Sequence, residues 1–315
     1  MYKLLLRLAC LCALTLLVGC AQPAAVPTVA GGPRQVQVGA TIFPLYDFAR
    51  QIGAQRVELH LLAPPGGHVH SWEPSTADVL RLERLDVLLY NGAGLEHWVC
   101  SVLPALQNQQ LIAVQTSAGL ELLPAVHDCH TGHEHCHDHD HGPLDPHVWL
   151  SPARAAGQAR AILYALIEAD PEGEPFYREN FENLVRQLYG LHEEFYQALA
   201  PLPRRDIVVA HAAFGYLCHD FGLNQIAVQG FSPHTEPTPA GLAQVIGHVR
   251  EREVSTIFFE SGQGAAVAQA IARETGAAVA VLHPLESLTP QELAAGDDYF
   301  AVMRRNLEAL TLALG

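Results

Sequence analysis

Short apolar runs alternate with longer amphipathic stretches from residue 36 to the C-terminus. The short runs predict eight buried strands, at 36–43, 56–62, 86–92, 111–114, 206–211, 224–230, 255–260 and 277–282. The stretches between them predict helices, at 44–52, 76–85, 96–107, 212–221, 239–253, 264–275 and 297–312. Strands that alternate with helices are typical of βα units and of a parallel sheet, so the pattern predicts an α/β fold.

Two helical stretches, 151–170 and 174–202, separate the two groups of strands. In the second stretch the apolar positions recur every three to four residues, which predicts one long amphipathic helix; they are Phe181, Leu184, Val185, Leu188, Leu191, Phe195 and Leu199. About 25 residues of helix span roughly 37 Å, enough to join two lobes. We therefore expect an N-terminal α/β lobe at 36–150, a helical linker at 151–202 and a C-terminal α/β lobe at 203–315, each lobe having a mainly parallel sheet flanked by helices.

The first 35 residues predict export and anchoring. A basic start and a short apolar stretch are typical of a signal peptide, here residues 1–19. The ending Leu-Val-Gly-Cys resembles a bacterial lipobox, which implies cleavage before Cys20 and lipidation of its thiol. The Pro/Ala/Gly-rich residues 20–35 then predict a tether. We expect an extracytoplasmic protein held to the bacterial membrane by this lipid.

Composition narrows the partners. The chain has 315 residues, 49% of them hydrophobic, and a formal net charge of −15. Nucleic-acid binding needs Lys/Arg patches, so this charge argues against it. Four cysteines remain after the signal and the lipobox, and the sequence leaves open whether they pair or bind metal; they are Cys100, Cys129, Cys136 and Cys218.

Several metal-capable side chains lie at predicted strand ends or in loops. His70, His147 and His211 are three of them, and His283 and Glu286 follow the last predicted strand. Open α/β sheets bind ligands beyond the carboxyl ends of their strands. Two facing lobes would bring such ends together, and three imidazoles with a carboxylate would complete a tetrahedral shell.

A family resemblance joins these pieces. The segments that carry it, in order, are APPGGHVHSWEPSTADVLRLERLDVLLYNGAGLEHW, DPHVWLSP, VVAHAAFGYLCHDFGL, IFFE, ETGAAVAVLHPLESLT and GDDYFAVMRRNLEAL. From about Val36 to the C-terminus the chain resembles the solute-binding lipoproteins of zinc/manganese ABC importers. The resemblance implies two α/β lobes joined by one long rigid helix, with a metal between the lobes. It implies His70, His147, His211 and Glu286 as ligands, and histidine at 211 favours zinc because manganese members usually carry Glu there.

The sequence departs from the family pattern at two places. His68-Val69 replaces the usual Asp-Pro before the first ligand, so His68 competes with His70. His283 stands where many relatives have Asn or Asp, and it is an alternative fourth ligand to Glu286.

A second group of histidines is crowded into one acidic run before the Asp-Pro-His motif; it comprises His127, His130, His133, His135, His137, His139 and His141. Zinc members of the family often carry such a loop. Its composition cannot pack a core, so we expect a mobile loop that binds extra zinc with low affinity. Residues 133–137 match the H-E-x-x-H protease signature, but flanking glycines argue against the helix that this signature needs.

The functional hypothesis is a monomeric, high-affinity zinc receptor that delivers Zn²⁺ to the membrane permease of an ABC importer, and not an enzyme. One alternative is a manganese receptor of the same family. Another is a zinc hydrolase that uses the same histidines, with Glu286 or Glu260 as general base; catalytic zinc keeps an open position for water, so burial and closure of the site would separate the two. A third is a metal-buffering or adhesion lipoprotein without a transporter.

Overall fold

The apolar runs form eight strands in the part of the chain that the computed structural model describes, which is residues 34–125, 144–230, 238–260 and 265–315. Gln35–Gly315 is one compact unit. The first four strands are β1 (Val36–Ala40), β2 (Val57–Leu61), β3 (Val87–Tyr90) and β4 (Ile112–Gln115). The other four are β5 (Asp206–His211), β6 (Asn224–Gln229), β7 (Thr256–Phe259) and β8 (Ala278–Val281).

The strands pair in two parallel sheets with the same topology. One sheet has the order β2-β1-β3-β4 and the other β6-β5-β7-β8, and every pairing in them is parallel. In each sheet the second strand lies on one side of the first strand, and the third and fourth strands lie on the other side. Such a switch point opens a crevice beyond the carboxyl ends of the strands, and the side chains considered below lie at these ends.

Ten α-helices flank the sheets in the described residues. Their bounds are α1 (Phe43–Gly53), α2 (Thr76–Leu82), α3 (Val99–Val102), α4 (Pro152–Ala169), α5 (Glu174–Leu199), α6 (Gly215–Phe221), α7 (Pro239–Glu251), α8 (Ala265–Thr275), α9 (Pro290–Ala295) and α10 (Tyr299–Leu314). None of the described helices is both long and apolar enough to cross a membrane. The sheets and their helices confirm the predicted fold class.

Helix α5 has 26 residues and is about 39 Å long. Its buried face carries Leu184, Leu188, Leu191, Phe195 and Leu199, five of the seven positions of the predicted stripe. The helix packs on α4 and α1 and also on α10. It therefore contacts elements that precede and follow the linker, as expected of a helix that joins two halves.

One helical prediction was wrong in detail, and one helix was not predicted. The helix predicted at 96–107 is only α3 and a 3₁₀ turn at Leu103–Ala105, because Pro104 lacks the N–H that would continue an α-helix. Helix α9 was missed, although Thr289 and Glu292 form a capping box at its start. The predicted signal peptide, Cys20 and most of the tether lie outside the described residues.

Candidate metal centre

His70 lies in the loop after β2. A 3₁₀ turn at Val69–Ser71 buries Val69 and His70, whereas His68 is exposed. The turn therefore leaves His68 at the surface and places His70 in the interior, so His70 and not His68 is the candidate ligand.

His147 is oriented by the residue two positions before it. One carboxylate oxygen of Asp145 accepts hydrogen bonds from the backbone N–H and from Nδ1 of His147, at 2.9 and 2.8 Å. The following turn, Val148–Leu150, is buried. Because Nδ1 is used by Asp145, Nε2 on the other side of the ring points toward the remaining candidate side chains.

His211 is the last residue of β5 and is buried. Its Nδ1 contacts a carboxylate oxygen of Glu260, which follows β7. The parallel pairing of β5 with β7 places Val209 beside Phe258, so the residues two positions further along each strand also lie side by side. Sheet register therefore creates the His211–Glu260 contact.

Glu286 lies in the segment that follows β8. Its carbonyl oxygen accepts a hydrogen bond from the backbone N–H of Phe43 at 3.0 Å. The carbonyl of Pro284 accepts one from the indole of Trp149 at 2.7 Å. Leu285 between them has φ +63°, a left-handed conformation that turns the chain at this point. Contacts to the N-terminal half thus hold the backbone on both sides of this turn.

These four side chains converge. The Nε2 atoms of His70, His147 and His211 lie 3.0, 3.3 and 3.4 Å from Oε1 of Glu286. The Nε2 atoms of His70 and His147 are 3.3 Å apart, and one ligand atom from each of the four residues lies within 4.8 Å of all the others. Donors bound at about 2.0–2.1 Å to a tetrahedral Zn²⁺ are about 3.3–3.4 Å apart. The four separations given above are close to those in such a shell.

Burial and neighbouring charges have opposite effects on the pKa values of the three histidines. Burial lowers the pKa of His70. For His211, burial also opposes the charged ring, but the charges and hydrogen bonds of Glu260 and Glu286 outweigh it and raise its pKa to about 10. For His147, burial is likewise outweighed by Asp145 and Glu286, and its pKa is raised.

The pKa of the Glu286 carboxylate is shifted in the opposite direction. Burial alone would raise the pKa of Glu286, but the three surrounding imidazoles outweigh burial and hold it well below its usual value. The carboxylate is therefore ionised at neutral pH and offers an anionic oxygen to a cation. Positive charge on His147 and His211, whose pKa values are raised, offsets that anion in the metal-free chain.

The alternative ligand His283 lies apart from the cluster. Its Nδ1 accepts a hydrogen bond from the backbone N–H of Leu285 at 2.9 Å, and its Nε2 is 3.6 Å from a carboxylate oxygen of Glu292. Asn306 bonds both its backbone N–H and its carbonyl, each at 2.8 Å. His283 therefore fixes the segment that carries Glu286. The histidines of the run 127–141 lie outside the described residues.

Two carboxylates next to the cluster contact its histidines. Asp145 belongs to the Asp-Pro lead that we expected to hold His147 in place, and its contact with His147 agrees with that expectation. Glu260 was considered only as a general base. The signal for Asp145 was its spacing, since an Asp two residues before a His reaches the ring. Only the strand register reveals the contact of Glu260 with His211.

Comparison with known proteins decides the family. Residues 38–313 match the family model described as zinc-uptake complex component A, periplasmic. The chain belongs to this zinc-uptake component A family. Among its members, the zinc-binding lipoprotein AdcA of Streptococcus pneumoniae is 33% identical over 310 residues, which cover 98% of this chain and 60% of AdcA. This chain therefore spans less than two thirds of that relative.

Other family members match over most of their length. The high-affinity zinc uptake system protein ZnuA of Bacillus subtilis is 31% identical over 276 residues, covering 88% of this chain and 86% of ZnuA. The crystal structure of the Zn(II)-bound ZnuA-like domain of Streptococcus pneumoniae AdcA superimposes with a TM-score of 0.76 at 31% identity, and covers 89% of this chain and 99% of that domain. Family and fold agree with the resemblance inferred from the motifs.

Proposed function

We propose that this protein is an extracytoplasmic receptor that binds Zn²⁺ with His70, His147, His211 and Glu286 and delivers it to the permease of an ABC importer. The observation that carries the proposal is the convergence of three buried Nε2 atoms on one carboxylate oxygen, at 3.0–3.4 Å. In this proposal zinc is cargo, bound and released unchanged.

The donor set favours zinc over manganese. Three imidazole nitrogens and one carboxylate oxygen suit Zn²⁺, whereas Mn²⁺ prefers shells rich in oxygen. The three Nε2–Oε1 separations of 3.0–3.4 Å and the 3.3 Å between the Nε2 atoms of His70 and His147 are close to those in a four-coordinate shell, the usual geometry of a closed zinc site. Relatives named as zinc-binding and zinc-uptake proteins support the same choice.

The closed arrangement supports a receptor rather than a hydrolase. Catalytic zinc has three protein ligands and an open position for water, but here a fourth donor, Glu286, already faces the three imidazoles. The other carboxylate that a hydrolase would use, Glu260, contacts the far nitrogen of His211. We therefore propose a non-enzymatic role.

The location follows from the sequence and the relatives together. We propose that residues 1–19 are a signal peptide, that Cys20 carries the lipid and that residues 20–35 are the tether. AdcA of Streptococcus pneumoniae is named as a lipoprotein, which supports this anchor. We also propose the two lobes 36–150 and 203–315, the helical linker 151–202 and a monomeric state.

Metal analysis of untagged protein tests the proposal. We expect one tightly held zinc per chain after dialysis against a weak chelator, and retention of that zinc against an excess of Mn²⁺. His211→Ala removes one donor and should lower zinc affinity by orders of magnitude in a chelator competition. Wild-type affinity in this variant, or preferential retention of manganese, would contradict the assignment.

A further inference from the structure

We infer that Glu260 is a positioning residue that fixes the ring of His211 so that Nε2 faces the zinc. The inference rests on the proposed function and adds a residue outside the four proposed ligands. Glu260 is buried, and its carboxylate contacts Nδ1 of His211. A carboxylate on the non-ligating nitrogen of a metal-bound histidine fixes both the tautomer and the ring orientation.

The two ring nitrogens of His211 have different surroundings. Nδ1 faces Glu260, while Nε2 is buried, has no hydrogen-bond partner among the described residues, and lies 3.4 Å from the Glu286 oxygen. An imidazole with its proton held at Nδ1 presents the lone pair of Nε2. The contact with Glu260 therefore determines which nitrogen is available to a cation.

The Glu260–His211 contact arises from sheet pairing, whereas the similar Asp145–His147 contact is local in sequence. Asp145 orients His147 from two residues away in the same loop. Glu260 reaches His211 from the neighbouring strand, because the β5–β7 register sets Val209 beside Phe258. The orientation of His211 thus depends on the sheet, and a change at residue 260 can alter it while the sequence around residue 211 stays intact.

A direct ligand role for Glu260 fits the geometry less well. The group of donor atoms within 4.8 Å of one another contains Glu286 and the three histidines, and it does not contain Glu260. The Glu260 carboxylate lies at Nδ1, on the side of the ring away from Nε2. The structure therefore favours action through His211.

Two substitutions of Glu260 distinguish an effect on the orientation of the His211 ring from an effect of the negative charge. Glu260→Ala removes the acceptor and the charge, whereas Glu260→Gln removes the charge and retains an oxygen that accepts the same hydrogen bond. Glu194→Gln is the matched control, because it makes the same charge change at an exposed glutamate paired with Arg304. All are made in the full-length chain.

We expect Glu260→Ala to lower zinc affinity roughly 10–100-fold in a chelator competition, Glu260→Gln to lower it less, and Glu194→Gln to leave it unchanged. With Co²⁺ as a spectroscopic substitute for zinc, Glu260→Ala should change the visible absorption bands, and Glu260→Gln should largely restore them. Equal losses in the Ala and Gln variants would show a charge effect alone and overturn the inference. Wild-type affinity in both would also overturn it.

A measurement on the wild-type protein covers the case in which a variant does not fold. In the Co²⁺-loaded protein, a hyperfine-shifted, slowly exchanging N–H proton assigned to Nδ1 of His211 supports the inference, and Nδ1 bound to the metal overturns it. If the wild-type protein binds no tight metal, the proposed function itself fails. Tight binding by the wild-type protein with no effect of residue 260 removes the role of Glu260 only.

Discussion

The carboxylate of Asp145 lies directly against the α-carbon of Gly215, at the start of α6. A β-carbon at this position would come closer to Oδ2 of Asp145 than real side-chain contacts allow. The same carboxylate holds Nδ1 of His147. The glycine at the start of α6 therefore leaves the space in which the Asp145 carboxylate orients a proposed ligand.

Gly215→Ala should consequently weaken zinc binding without touching any proposed ligand. The added methyl group pushes the Asp145 carboxylate away from its place, and overpacking of this kind costs about 1–3 kcal/mol. Gly190→Ala is the control, because a β-carbon at Gly190 in α5 meets nothing within 4 Å; it should stabilise the helix by roughly 0.5–1 kcal/mol. Thermal unfolding and zinc competition measure both variants, and an unchanged zinc affinity in Gly215→Ala would contradict the argument.

The fourth donor can be assigned by a pair of substitutions. Glu286→Gln removes the anionic oxygen on which the three Nε2 atoms converge, so zinc affinity should fall roughly 100-fold or more, beyond the loss typical of residues outside the ligand shell. His283→Asn retains a side-chain oxygen that can accept from the N–H of Leu285, the bond now made by Nδ1 of His283. This variant should keep tight zinc. A reversed result, with zinc lost only in His283→Asn, would make His283 the ligand.

Zinc binding should release protons at neutral pH. Burial opposes charge on His211, but Glu260 and Glu286 outweigh it and raise its pKa to about 10, so the ring is protonated at pH 7.5 in the metal-free chain. Zinc needs the neutral ring and must displace that proton. Calorimetric titrations in two buffers of different ionisation enthalpy should show about one proton or more released per zinc, and a buffer-independent heat would argue against it.

The raised pKa of His211 also makes the stability of the metal-free protein depend on pH. A pKa raised from 6.5 to about 10 on folding stabilises the metal-free protein fully below pH 6.5, and this contribution is lost as pH rises through about 10. In the zinc-loaded protein, zinc has already displaced this proton from His211, so the ring has no such proton to lose as pH rises. The melting temperature of the metal-free protein should therefore fall more steeply between pH 7 and 10 than that of the zinc-loaded protein.

Much of the fold was predictable because its signals are local. Apolar runs gave all eight strands, and β5 was predicted with its observed bounds, Asp206–His211. Helix α3 was overestimated since helical spacing alone does not show where Pro104 ends the regular hydrogen bonding. The missed α9 has only six residues, too few to show an apolar period.

The candidate site could be predicted only as far as motifs and strand ends indicate it. His70, His147, His211 and Glu286 were named from the sequence, and the structure brings them together. Glu286 was preferred to the alternative His283 on its chemistry alone, and the structure places Glu286 in the cluster. The two residues are three apart, with the left-handed turn at Leu285 between them. The Glu260 contact depends on pairing between strands that are distant in sequence, which one chain does not reveal.

Movement on zinc binding should be small. Helix α5 packs on elements of both halves, and Arg304 of α10 pairs with Glu194 of α5 at 2.8 Å. The indole of Trp149 also bonds the carbonyl of Pro284 across the halves. A continuous helix resists the large hinge closure that a flexible two-strand linker permits. Small-angle scattering should show no change in radius of gyration beyond error when zinc is added, and a large compaction would contradict this expectation.

The histidine run at 127–141 should serve a different purpose from His147. The four side chains that converge all lie outside the run, so we expect the proposed tight site to form without it. Each metal that the run binds must order loop residues at about 1–2 kcal/mol apiece, so its zinc should be weakly held and lost as pH falls through roughly 6.5. Deleting 127–141 should lower the total zinc bound per chain and leave one tight zinc in place, as measured by metal analysis before and after chelator treatment. Loss of the tight zinc in this deletion would mean that the run supplies part of the primary site.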